Sequence, residues 1–275
     1  MHDSRLRSCS LALAALLAIV ASAPSAGAAR RSEKLAEQER APKPDTDEAT
    51  TQEAFKYFQF GNQFFQQGLV QKAQENFRHA LQIQPAYPEA SYMLGLVLYE
   101  LNDFRGAVAA GDAALTQNPF LTEAHNLMGM AKAKMGDFDG ALKEFEAVKA
   151  DVSFPTPEVA HFNIGKVFWE RQACGDAVIH FRRAIEINAQ FWRGWYLMGD
   201  CQEQLGQTEQ ARQSYLKALE IQPNEKGPLY RLGFLCFSEG NSACARQYLD
   251  KVRELYPSSQ EAAGAREYLR QLNFK

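Results

Sequence analysis

The chain has 275 residues, enough for one or two ordinary domains, and 46% of them are hydrophobic, enough for a packed core. Its formal charge of −3 gives no electrostatic case for nucleic acid and so excludes partners held mainly by phosphate contacts. Residues 1–28 have the form of a secretory signal. Arg5 and Arg7 precede an apolar run from Leu11 to Ala23, and Ala26-Gly27-Ala28 offers a small-x-small cleavage site. The expectation is export to the periplasm or outer surface of a bacterium. Pro24 and the shortness of the apolar run argue against an uncleaved anchor. Cys9 lies before the apolar run, whereas a lipoprotein signal places its cysteine after it, so no lipobox is found. Residues 29–52 are charged, contain Pro42 and Pro44, and hold too few apolar side chains to fold alone. They are read as a disordered linker to a domain spanning 53–275.

From Ala54 a pattern recurs. The stretch from Trp192 to Pro223 shows it most fully: Trp195, Met198 and Gly199 in a first helical segment, a break near Gly206, then Ala211, Tyr215 and Ala218 in a second, ended by Pro223. The small residues let two helices approach, and the larger ones fill the space around the contact. Segments starting at 54, 88, 122, 158, 192 and 226 repeat this arrangement, 34 residues apart except for the step from 122 to 158. That longer step carries two extra residues near Phe154–Pro157. Position twenty-four of the second segment is Gly111, which leaves room for a neighbour or weakens its helix. Val148 and Ala189 stand where a small residue and a proline are expected. The spacing resembles the tetratricopeptide repeat, a helix–turn–helix unit that buries its apolar face only by stacking. The predicted fold is all-α: a right-handed superhelical solenoid of six such repeats, closed by an amphipathic capping helix over 259–272 with Ala262, Ala265, Tyr268, Leu269 and Leu272.

Four cysteines follow the signal segment: Cys174, Cys201, Cys236 and Cys244. In an oxidising compartment an even count suggests disulfides. Within the repeat, Cys236 and Cys244 flank one turn symmetrically. Cys174 and Cys201 fall at the near ends of antiparallel helices of repeats four and five. The expected bridges are Cys174 with Cys201 and Cys236 with Cys244; the alternative is four buried thiols acting as small hydrophobes.

No motif for nucleophilic, metal-dependent or phosphate chemistry is present. His125 and His161 fall at repeat position four and are read as packed core histidines. His79 and His180 lie on second helices without a ligand partner. No enzyme, cofactor, metal or small-molecule substrate is expected.

A partner surface is more legible. In tetratricopeptide repeats the inner groove is lined by first-helix positions two, five, nine, twelve and thirteen. Here those positions hold Phe55, Phe58, Phe65, Tyr92, Tyr99, Phe162, Trp169, Tyr196, Tyr230, Phe234 and Phe237, together with polar residues such as Asp200 and Glu203. Such rings suit a protein segment laid along the groove, or else they pack between neighbouring helices as core.

Six repeats behind a secretion signal also resemble the type IV pilus biogenesis family of PilF, PilW and Tgl. The resemblance is carried by Phe154-Pro155-Thr156-Pro157-Glu158-Val159-Ala160, Asn163-Ile164-Gly165, Leu232-Gly233-Phe234-Leu235-Cys236 and Ala245-Arg246-Gln247-Tyr248-Leu249. It implies a pilotin: a periplasmic scaffold, associated with the outer membrane, that helps the outer-membrane secretin assemble and so has that secretin as its protein partner. The family's members are lipoproteins, and the missing lipobox is a departure from them. The alternative is a general cell-envelope adaptor in another pathway, such as cytochrome maturation or outer-membrane protein assembly.

Overall fold

The structure is a computed structural model, and it describes residues 48–273. The expected signal segment, and the expected linker as far as residue 47, lie outside the described residues. Regular structure among the described residues consists of thirteen α-helices. The chain divides into two compact units at Pro157–Glu158.

The first unit holds three helical hairpins: α1 (Glu48–Gln66) with α2 (Val70–Ile83), α3 (Pro88–Glu100) with α4 (Phe104–Gln117), and α5 (Thr122–Lys134) with α6 (Phe138–Ala150). The second unit holds α7 (Pro157–Glu170), which opens on the boundary residue, with α8 (Cys174–Ile187). Then come α9 (Trp192–Gln204) with α10 (Thr208–Ile221), α11 (Lys226–Ser238) with α12 (Ser242–Leu255), and a single last helix, α13 (Gln260–Asn273). The first helix differs from expectation. It begins at Glu48, upstream of residue 54, so residues 48–52 of the expected linker are helical. No proline or glycine lies between Glu48 and Ala54 to stop it.

The small residues of the pattern are contact points. A Cβ on Gly199 would lie 2.7 Å from the Tyr215 ring, and one on Gly129 would lie 2.6 Å from the Phe145 ring. First and second helices therefore touch through a bare backbone and an aromatic face. Phe77, Phe145, Phe181 and Tyr215 are fully or almost fully buried there, each contributing about 2–3 kcal/mol of apolar burial. Gly111, where the other hairpins carry a large residue, leaves a hole that the side chain of Met128 enters from the next repeat; a Cβ at Gly111 would sit 2.5 Å from it. The helix survives the glycine because the neighbour fills the space.

Each hairpin turn passes through one residue with positive φ: Gly68, Asn102, Gly136, Gln172, Gly206 and Gly240. Four are glycine, as the left-handed region favours; Asn102 and Gln172 adopt it with a side chain. Second helices are entered through Asp103, Asp137 and Asn241, whose side chains accept from the backbone N–H of Gly106, Gly140 and Cys244 at 2.9, 3.0 and 3.1 Å. They end on the residue before Pro85, Pro119, Pro223 and Pro257. Where Ala189 replaces the proline, Asn188 makes the turn. Its Oδ1 accepts from the Gln190 N–H at 3.1 Å, and its amide donates to Glu158 at 2.9 Å. The two extra residues fall in a knot around Asp151, which accepts from the Ser153 N–H and hydroxyl at 2.9 and 2.6 Å and from the Thr122 hydroxyl. Phe154 is buried just beyond it.

The end helices differ from the rest. At positions where α3 and α5 bury Ala90 and Ala124, and α9 and α11 bury Gly194 and Pro228, α1 exposes Lys56. It also exposes Phe60 and Gln63 on the same face, and the Lys56 ammonium lies 5.8 Å above the Phe60 ring. At the other end, α13 buries Ala262, Ala265, Leu269 and Leu272 against Leu229, Leu249 and Val252. Its opposite face carries Glu267 bonded to Arg270 and Gln271, each at 3.0 Å. A polar outer face of this kind is what a stack of repeats needs at its ends.

Candidate functional site

In the first unit the first helices line up, α1 touching α3 and α3 touching α5. Of the rings expected to line a groove, Phe55 is half exposed, whereas Phe65 is 8% exposed and belongs to the core with Ala73, Phe77, Met93 and Val97. For Phe65 the groove reading is corrected. It faces the helix pair, where removal from water outweighs any use as a contact. Phe58 is half-buried, with its ring 5.8 Å from Phe77 and 5.0 Å from Tyr87. Tyr99 meets Phe104 edge-on at 5.4 Å, and Tyr92 is half-buried. Tyr92, Leu96, Tyr99 and Glu100 form one stripe along α3, because positions four and seven or eight apart share a helix face.

The second unit holds a polar network that the aromatic reading missed. Asp200, 5% exposed on α9, accepts from Trp169 Nε1 of α7 at 2.7 Å, from Gln204 Nε2 at 2.9 Å and from Arg231 Nε of α11 at 3.1 Å. A second Arg231 nitrogen also donates to Asp200. Glu203 lies 3.6 Å from the Arg231 guanidinium and accepts from the Tyr215 hydroxyl at 2.8 Å. Burial alone would depress the Arg231 pKa. Its bonds to Asp200 and the field of the neighbouring acids reverse that and hold it above the usual arginine range. Burial and then Glu203 push the Tyr215 phenol well up. The signal was present in the sequence: Asp200, Glu203 and Arg231 are charges on consecutive first helices at register positions that face one another.

The remaining expected rings of this unit lean on neighbours. Phe162 lies 5.7 Å from Phe181 and meets Phe191 edge-on at 5.0 Å, and Tyr196 lies 6.1 Å from Tyr215. Tyr230, Phe234 and Phe237 all surround Tyr268 of the last helix, at 6.2, 5.5 and 4.8 Å. Tyr268 belongs to the amphipathic pattern expected of the capping helix. It also continues the aromatic positions of α11, as the matching position of a seventh first helix.

The cysteines divide. Cys236 and Cys244 are bonded across the turn between α11 and α12, with Cα atoms 5.6 Å apart. Cys174 and Cys201 are free thiols, against the expected second bridge. Cys174 donates to Gln204 Oε1 at 3.3 Å, and the pair sits among Val178, Phe181 and Met198. Burial, followed by a hydrogen bond with Cys174, pushes the Cys201 thiol up, away from the thiolate that exchange chemistry needs.

His125 is not a bare core histidine. Its Nδ1 lies 2.7 Å from Glu144, which is buried and also accepts from Lys132 at 2.6 Å. Burial opposes ionisation of Glu144, but these two bonds outweigh it and hold its pKa below the usual carboxylate range. His161 and His180 face each other at 5.9 Å, and Phe168 stacks on His180 at 5.5 Å. No cluster of three metal-ligating side chains and no helix long and apolar enough to cross a membrane occurs among the described residues.

A family profile described as "TPR repeat" matches residues 61–102. Two described as "Tetratricopeptide repeat" match residues 126–191 and 192–225. No curated protein sequence matches the chain. Among solved structures, PilF of Pseudomonas aeruginosa superposes with a TM-score of 0.68 at 20% identity, covering 82% of this chain and 100% of that one. PilW, described as a widely conserved type IV pilus biogenesis factor, gives 0.68 at 19% identity over 76% of this chain and 96% of its own. Cut9, in a Cut9–Hcn1 assembly of the APC/C, gives 0.66 at 15% identity over 80% of this chain and 42% of its own. At these identities the likeness is one of fold. Close glycine–aromatic contacts, left-handed hairpin turns and family profiles agree: the chain is a tetratricopeptide repeat protein.

Proposed function

We propose that this protein is an exported, non-catalytic scaffold that binds a protein segment during assembly of a cell-envelope machine. In its sharpest form, that machine is the outer-membrane secretin of a type IV pilus. The observation that carries the reading is the likeness to PilF and PilW, which spans 100% and 96% of those chains. Tetratricopeptide repeats in general mediate contacts between proteins, and half-buried aromatic rings on first helices suit that task. Arg5, Arg7 and the apolar run to Ala23 support export. A second reading, a general envelope adaptor, is favoured by the comparable likeness to Cut9, a protein of an unrelated assembly.

The test is capture from envelope extracts with the tagged chain from Ala29 onward, followed by mass spectrometry. Enrichment of an outer-membrane secretin is the expected result. Enrichment of a different assembly machine without secretin would move the function to the adaptor reading.

A further inference from the structure

We propose that the inner face of the first unit receives a partner segment in which apolar or aromatic side chains flank a basic one, and that Glu100 is the anion that selects it. The inference rests on the reading of the chain as a protein-binding scaffold and gives that partner a chemistry.

Four of the other inner-face acids have cations within the chain, and Glu89 of α3 is exposed to water. Glu170 of α7 lies 4.0 Å from Lys166, one turn back on its own helix. Asp200 and Glu203 share Arg231, and Glu203 also takes the Tyr215 hydroxyl. Glu261 of α13 lies 3.0 Å from Lys226. Glu100 has the same kind of position, at the end of the α3 stripe, with Leu96 one turn back where Glu170 has a lysine. Among the described residues no cation pairs with it. Glu100 is half-buried, and burial raises its pKa above the usual carboxylate range. An acid left partly dehydrated gains most from an incoming cation, since part of the cost of removing its water is already met in the free protein.

The stripe sets the rest of the chemistry. Tyr92, Leu96 and Tyr99 lead along α3 to Glu100, and on α1 Phe55 is 50% exposed. Lysine and arginine lay apolar stems along such rings while the charged head reaches the acid. An all-apolar segment would cover Glu100 without satisfying it, and an acidic one would repel it.

A phage-displayed library of random dodecapeptides, selected on the immobilised chain from Ala29 onward, tests the proposal. The selected peptides are expected to carry Lys or Arg next to Phe, Tyr, Leu or Ile. A synthesised winner should bind the Glu100→Gln variant about tenfold more weakly, between the effects of exposed and buried charge pairs. Replacing the peptide's basic residue by Gln should weaken binding to the native chain equally, and should cost little further against Glu100→Gln. The peptide change reads the charge even if the variant folds poorly. Selection of no binders, of peptides without basic enrichment, or of peptides indifferent to Glu100→Gln would overturn the proposal. Secretin capture together with charge-blind peptides would remove only this inference. Charge-dependent peptides without secretin capture would remove only the pathway reading.

Discussion

The inner faces of the two units are made of similar residues in the same repeat register, yet they are in different states. In the second unit the charges answer one another: Trp169, Asp200, Arg231 and Glu203 form a network across three first helices, and Tyr268 sits among Tyr230, Phe234 and Phe237. In the first unit Phe58 and Tyr99 also lean on neighbouring rings, but Phe55 stays half exposed and, among the described residues, no cation pairs with Glu100. Residue type alone therefore does not mark a binding face. A ring or acid whose partner lies one helix along is structural, and one whose partner is missing is available.

The largest test of this contrast is to break the network. Asp200→Ala leaves Arg231 and Trp169 without their shared acceptor, and breaking a buried pair costs about 3 kcal/mol. At roughly 2–4 °C per kcal/mol for a chain of this size, the melting temperature should fall by about 6–12 °C. A fall under 2 °C by calorimetry would mean that the network is not structural. A second comparison sets Phe65→Ser against Phe55→Ser. The buried ring should cost about 3–5 kcal/mol and lower helicity. The exposed one should leave the circular dichroism and melting curve within about 0.5 kcal/mol of the native chain while weakening partner binding. Equal losses from the two would erase the distinction drawn from their burial.

Acid probes the first unit through Glu144. Its folded pKa lies below its ordinary value of 4.5, so its contribution is complete above that value and is lost as the pH falls through the folded pKa. Stability should therefore decline below about pH 4.5, and a Glu144→Gln variant should show a flatter denaturant midpoint across that window. An identical slope in both chains would contradict the assignment. The smallest effect is expected at the turn between α7 and α8. Gln172 holds a φ of 61° where four of the other five turns use glycine, so Gln172→Gly should stabilise by about 0.5–1 kcal/mol. Destabilisation in urea would show that its side chain contributes more than its backbone costs.

Much of the fold was legible because the repeat is local. Gly199 and Tyr215 announce the helix contact, and the prolines mark where second helices stop. The start of α1 was not, since residues 48–52 are helix-compatible but carry no apolar period. The site was less legible because exposure depends on the neighbouring helix. Phe55 and Phe65 occupy groove positions of one helix, yet only the packing of α2 and α3 separates core from surface. The two cysteine pairs were equally plausible by spacing, and both sit in apolar clusters, yet only Cys236 and Cys244 are bridged. Asp200 and Arg231 could have been paired from register alone, by asking which charges face across adjacent first helices.

The most direct measurement is site-specific photo-crosslinking in cells, with a photoreactive amino acid placed at Phe55 or Leu96 of the first unit and at Phe234 or Tyr230 of the second. The account predicts adducts to a partner protein from the first pair and none from the second. Adducts from the second pair alone, or equally from both, would contradict it.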